Sequence, residues 1–256
     1  MSETPAEGRR AAVSRRLRRG AYLLPSLFTV ANIVLGFLAI VRGYRGDFQT
    51  ATLLLLIAAT VDALDGRVAR MTGTESEFGR EYDSLADVLT FGAAPALLAF
   101  FWGLEDLGRA SWLVPLFFLV CCATRLARFN VQSRVVDSKS FVGLPTPAAA
   151  GGVGSILFFA PDPVWKPWTV PFLTVALVGL GLLMVSTFRY PSFKKIDLRK
   201  RRSYRALLPV AAVMLTIAFH PPAFFLVAAT TYALWGPFAW LAGWLGRRRS
   251  QETPPA

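Results

Sequence analysis

Four carboxylates in one 26-residue stretch, Asp62, Asp65, Asp83 and Asp87, carry the clearest chemical signal in this chain. Asp62 and Asp65 follow a long apolar run, 51–61, and Asp83 and Asp87 lead into another, 88–102. Spacings of three and four residues place each pair on one face of a helix. Gly79 extends the second face by one turn. Four like charges on neighbouring helix ends repel, by about 4 kcal/mol for a pair about 4 Å apart in a partly screened site. A cation must offset that. Oxygen donors without Cys or His beside them suit Mg²⁺, Mn²⁺ or Ca²⁺ rather than zinc, and Mg²⁺ commonly sits between carboxylates and substrate phosphates. Gly66 and Gly79 would let a bulky polar ligand approach the backbone. Arg67, Arg70 and Arg80 add positive charge for phosphate oxygens. The plain alternative is a set of charged helix termini at a membrane surface. Two acid pairs, two glycines and an arginine in register weigh against it, and acids at a membrane are functional candidates by default.

The elements that position these acids are membrane helices. The chain has 256 residues, of which 54% are hydrophobic and 17% charged, against about 25% charged in a soluble domain. Apolar runs of about 20 residues recur, at about 22–41, 49–70, 79–102 and 111–130, then in a fifth span ending near 160, and at about 169–187, 206–219 and 223–245. The expected fold is all-α: a polytopic helical bundle with a six-helix core and two additional C-terminal transmembrane helices. Thr29 and Asn32 are polar groups in the first span that face either a site or a helix–helix hydrogen bond. Pro95 is expected to kink the third span. Residues 1–20 read as a disordered start and a basic interfacial helix, Arg9–Arg19. Residues 21–190 read as the core, 191–205 as a basic loop, 206–246 as the added pair and 247–256 as a disordered tail.

Net charge is +12. Nucleic acid is one explanation of such a balance, but the placement of the charges supplies another. With eight spans, 24 of the 28 Lys and Arg fall on the side of the two termini and 4 on the other. That asymmetry marks the first side as cytoplasmic and needs no nucleic-acid partner. The acids fall on the same side. Cys121 and Cys122 are adjacent in an apolar run and read as small fillers. The single histidine, His220, stands before two prolines in an expected loop, so neither an HExxH zinc site nor a histidine nucleophile fits. A cation transporter is a competing class, but its acids would sit at mid-membrane in repeated halves, and no repeat is evident.

The pattern Asp62-x-x-Asp65-Gly66-x-x-Ala69-Arg70, eight residues, Gly79-x-x-x-Asp83-x-x-x-Asp87 resembles the full signature of the CDP-alcohol phosphatidyltransferases. The segments LLPSLFTVAN, EYDSLADVLTFGAAPA, TRLARFNV, FVGLPTPAAAG and MVSTFRYPSFK are similar to the serine-accepting branch of that family in prokaryotic membranes. They spread the likeness over about residues 23–195. The resemblance implies transfer of the phosphatidyl group of CDP-diacylglycerol to the hydroxyl of L-serine, with CMP released. It implies that Asp62, Asp65, Asp83 and Asp87 hold Mg²⁺ or Mn²⁺, two ions in all, and that Asp83 and Asp87 are catalytic, Asp87 as the base. Asp62, Gly66, Ala69, Arg70 and Gly79 would bind the nucleotide. It further implies a homodimer in the cytoplasmic membrane. Arg125, Arg128 and Asn130 are the candidates for binding serine, because its carboxylate needs a cation and they lie on the same membrane face. Another acceptor, such as inositol, glycerol 3-phosphate or an archaeal-type lipid, would use the same chemistry.

Overall fold

The computed structural model describes residues 27–72, 76–133, 141–162, 168–191 and 207–251. Among them eight helices follow in order: α1 (Leu27–Tyr44), α2 (Phe48–Thr72), α3 (Glu77–Leu104), α4 (Leu113–Ser133), α5 (Thr146–Phe159), α6 (Thr169–Val185), α7 (Leu207–Phe219) and α8 (Pro221–Gln251). A two-residue antiparallel ladder joins β1 (Phe141–Val142) to β2 (Arg189–Tyr190). The protein is an all-α integral membrane protein. Its helices α1, α3, α4 and the Pro221–Leu245 part of α8 are long and apolar enough to cross a membrane, and α5 and α6 are shorter apolar helices.

The packing logic is that of a bundle in lipid, where apolar side chains gain nothing by leaving the tails and small residues let helices approach. On α1 the inward stripe is Thr29, Asn32, Gly36, Ala39 and Gly43, whereas Leu27, Val30, Val34, Phe37 and Leu38 are exposed. A Cβ on Gly36 would stand 2.5 Å from Thr90 Oγ1, so α1 and α3 touch backbone to side chain there. Thr90 Oγ1 donates to the Asn32 carbonyl at 3.1 Å across the same crossing. Helix α4 packs against α6 and against the Val88–Ala93 turn of α3, and α5 packs against α2 and α8.

Two of these helices depart from the sequence expectation. Pro95 does not simply kink α3. Two π-helical turns, Val88–Ala93 and Phe100–Leu104, flank the α-helical stretch Ala94–Ala99 that contains it. The wider turn absorbs the missing N–H, and the Ala94 N–H reaches back five residues to the Leu89 carbonyl. Helix α8 runs on to Gln251, so residues 247–251 are helical, a correction to the expected disordered tail. His220 occupies a one-residue connection rather than a loop, because Pro221 and Pro222 start α8, where their lost N–H groups have no helical partner anyway. The expected basic interfacial helix, and the expected basic loop 191–205 beyond Pro191, lie outside the described residues.

Candidate active site

The first acid pair is carried by α2, whose four leucines and isoleucine, Leu53–Ile57, form an apolar run before Asp62 and Asp65. The pair stands about two turns before the helix ends at Thr72. The second pair is carried by α3. Ser76 caps that helix, its Oγ accepting from the Gly79 N–H at 2.9 Å. A Cβ on Gly79 would lie 3.0 Å from the same Oγ, so this glycine keeps the cap close. Asp83 and Asp87 follow on the next two turns.

These turns bring three of the four acids together. Carboxylate oxygens of Asp62, Asp83 and Asp87 all lie within 4.8 Å of one another. Asp65 stands outside that triplet. It is 6% exposed, and its Oδ2 accepts from Thr29 Oγ1 at 3.0 Å. Asp65 Oδ1 and Asp87 Oδ1 are buried with no hydrogen-bond partner among the described residues. Converging carboxylates with orphaned oxygens match the donor set of a hard divalent cation. Gly66, half-buried on α2, directly follows Asp65, and Arg67 is exposed one residue further on. Arg80 is exposed and pairs with Glu77 at 3.9 Å. Ala69 and Arg70 lie on α2, and their side chains fall outside the described ones.

The three residues expected to bind serine have different surroundings. Arg125 is buried. Its Nη1 donates to Thr146 Oγ1 at 3.3 Å, its guanidinium lies 5.5 Å from the Phe129 ring centroid, and its Nε has no partner among the described residues. Arg128 instead ties the chain together. Nη1 donates to the Val185 carbonyl at 2.9 Å, and Nη2 to those of Val142, Ser186 and Met184 at 3.1, 3.1 and 3.4 Å. The Met184, Val185 and Ser186 carbonyls are the open ones at the end of α6, which need partners, and the Val142 carbonyl comes from the β1–β2 ladder that packs there. Gly143 sits in the same knot with φ +80°, and a Cβ there would strike the Met184 carbonyl. Arg128 thus clamps four backbone carbonyls, a structural role that its expected part in serine binding did not include. Asn130 Nδ2 donates to Ser84 Oγ at 2.9 Å and ties α4 to α3.

Thr29, Asn32 and Thr146 are the polar residues that the signature does not contain and the structure adds to the site. The first two carried a signal as polar groups in an apolar span. Thr146 sat unremarked inside the proline-rich turn that starts α5. Beside the acids, a cavity of about 250 Å³ opens between α2, α5 and α8, lined by Leu55, Ala59, Phe91, Phe158, Phe225 and Tyr232 among others. Ala59 and Phe91 place it about one turn from Asp62 and Asp87.

A family model described as CDP-alcohol phosphatidyltransferase matches residues 22–187. A Helicobacter pylori CDP-diacylglycerol–serine O-phosphatidyltransferase is 39% identical over 224 residues, 86% of this chain and 92% of the relative. The Bacillus subtilis protein of that name is 34% identical over 67% of this chain and 92% of its own length. That of Methanocaldococcus jannaschii is 33% identical over 84% and 92%.

Proposed function

The chain belongs to the CDP-alcohol phosphatidyltransferases, and from that premise we propose that it transfers the phosphatidyl group of CDP-diacylglycerol to L-serine. The products are phosphatidylserine and CMP. One observation carries the reading: Asp62, Asp83 and Asp87 converge within 4.8 Å, about one turn from residues that line an apolar cavity of about 250 Å³.

In this reading Asp87 accepts the proton of the serine hydroxyl. The oxygen so freed bonds to the phosphorus that bears diacylglycerol. The bond from that phosphorus to the CMP oxygen breaks, and CMP leaves with the electron pair. Asp83 adds a second carboxylate to the same site. Gly66, Ala69 and Gly79 would take the cytidine nucleotide, and Arg70, Arg67 and Arg80 would supply positive charge for its phosphates. The cavity between α2, α5 and α8 takes an acyl chain and so aligns the lipid phosphorus with Asp87. Divalent ions, Mg²⁺ or Mn²⁺ and two in number, bound by Asp62, Asp65, Asp83 and Asp87, would supply positive charge against the diphosphate.

The charge asymmetry between the two faces supports a cytoplasmic-membrane protein of a prokaryote with the acids and both termini inside. Family likeness supports a homodimer of cores spanning 21–190. Purified protein given CDP-diacylglycerol, Mn²⁺ and labelled serine is expected to release CMP and form a labelled lipid in equal amounts. CMP release only with inositol, glycerol 3-phosphate or another alcohol would overturn the serine assignment.

A further inference from the structure

Three helices bring unsatisfied polar atoms to one depth of the bundle. Asn32 on α1 is 1% exposed, and neither its Oδ1 nor its Nδ2 has a partner among the described residues. Arg125 Nε on α4 and Asp87 Oδ1 on α3 are buried in the same condition. Orphaned groups of this kind are rare in native interiors and mark a place for something that pairs with them.

Their levels follow from the helix crossings. Helices α1 and α3 run the same way, since α2 reverses between them. Thr90 meets α1 between Asn32 and Gly36, so Asp87, one turn before Thr90, is level with Asn32. Helices α3 and α4 run oppositely, and a Cβ on Gly92 would lie 3.1 Å from Cys122 Sγ. Stepping back along α3 to Asp87 therefore means stepping forward along α4 to Arg125. Asn32, Asp87 and Arg125 thus share one depth, with Asp87 on the helix that packs against both α1 and α4. Thr29 on Asp65 and Thr90 on the Asn32 carbonyl fix the α1 side. Thr146 on Arg125 Nη1 fixes the α4 side.

We propose that Asn32 and Arg125 are the two walls of the acceptor site and select a small alcohol that carries both a carboxylate and an ammonium group. Arg125 takes the carboxylate through its guanidinium edge. Asn32 Oδ1 accepts from the ammonium group, and the hydroxyl is left facing Asp87. This deepens the proposed function and rests on it. A pocket built to pair polar groups rejects an analogue that lacks one of them far more strongly than an apolar pocket can.

The test compares kcat/KM for CMP release in nanodiscs with CDP-diacylglycerol and Mn²⁺, using three acceptors: L-serine, ethanolamine, which lacks the carboxylate, and 3-hydroxypropionate, which lacks the ammonium group. The unaltered protein is expected to prefer serine over each analogue by at least about 100-fold. In Asn32→Ala the preference over 3-hydroxypropionate falls at least about tenfold while that over ethanolamine holds. Arg125→Ala does the reverse. Both act mainly through the KM for serine, and Mn²⁺-dependent binding of CMP stays within about threefold in each variant. Asn32→Ser, which keeps a hydrogen-bonding oxygen, falls between. Unchanged preferences in Asn32→Ala with normal CMP binding overturn the assignment, as does loss of CMP binding in both Asn32 variants, which makes Asn32 structural. Absence of CMP release from serine by the unaltered protein overturns the proposed function itself, and this inference with it.

Discussion

Helix α2 has one aspartate capping its start and a pair about two turns before its finish, and the two places use them differently. Asp47 caps the start. Its Oδ1 accepts from the Thr50 N–H at 3.1 Å, and its Oδ2 faces Arg42 at 3.5 Å. The hydrogen bonds from Thr50 hold its carboxyl below the usual carboxylate range. Towards the finish Asp62 meets Asp83 and Asp87 with no ion pair among the described residues, and Asp65 and Asp87 each keep a buried orphan oxygen. One place satisfies a carboxylate and gains helix stability. The other crowds carboxylates at a cost in stability, and groups kept at such a cost are those that act on a ligand.

The largest expected effect that sharpens this contrast is on turnover. Asp87→Asn lowers kcat about 10³-fold, yet without metal its Tm equals or exceeds that of the unaltered protein, because a like charge is gone. CMP release and thermal unfolding measure the two. Normal kcat would end the case for Asp87 as base. Next comes metal. Mn²⁺ at about 100 times its Kd is expected to stabilise the protein by about 2.7 kcal/mol, and chelation abolishes turnover. Asp62→Asn loses that stabilisation and Asp47→Ala retains it; equal thermal shifts in both would erase the distinction between the two places.

Arg128→Ala has a smaller effect of another kind. It strands the carbonyls at the end of α6 and costs about 2–4 kcal/mol in chemical unfolding, while the folded fraction keeps its KM for serine. A raised KM with unchanged stability would return Arg128 to the acceptor site. Smallest is Asp47→Ala, which lowers Tm by about 2–4 °C at pH 7 with kcat unchanged. The folded-state pKa of Asp47 is depressed. Its stabilisation is therefore present above the unfolded value of about 3.9 and fades as pH falls below it. Melting curves of the two proteins should converge near pH 3.

Much of the site was legible because it is local. The three- and four-residue spacings of the acids survive as single faces of α2 and α3, and the apolar runs survive as helices. Arg128 was not legible for a physical reason. Its position three residues after Arg125 says that the two share a face, but the carbonyls it binds arrive from residues 142 and 184–186, which only the folded chain brings back. Thr146 escaped notice for the same reason, being 21 residues from Arg125. The π turns of α3 escaped because Pro95 announces a disturbance in the hydrogen-bond ladder without saying how the ladder absorbs it.

Those π turns carry one more consequence. Each holds an extra residue without completing an extra α-turn, so it resets the rotational phase of everything beyond it. In α3 the first reset falls directly after Asp87, between the reacting face and the stretch Ala94–Ala99 that beds against the neighbouring helices. Removing one residue from Val88–Ala93 would swing one half against the other by about 100°, although no side chain at either end had changed. The acidic half and the apolar half of this helix are two separately set dials on one shaft.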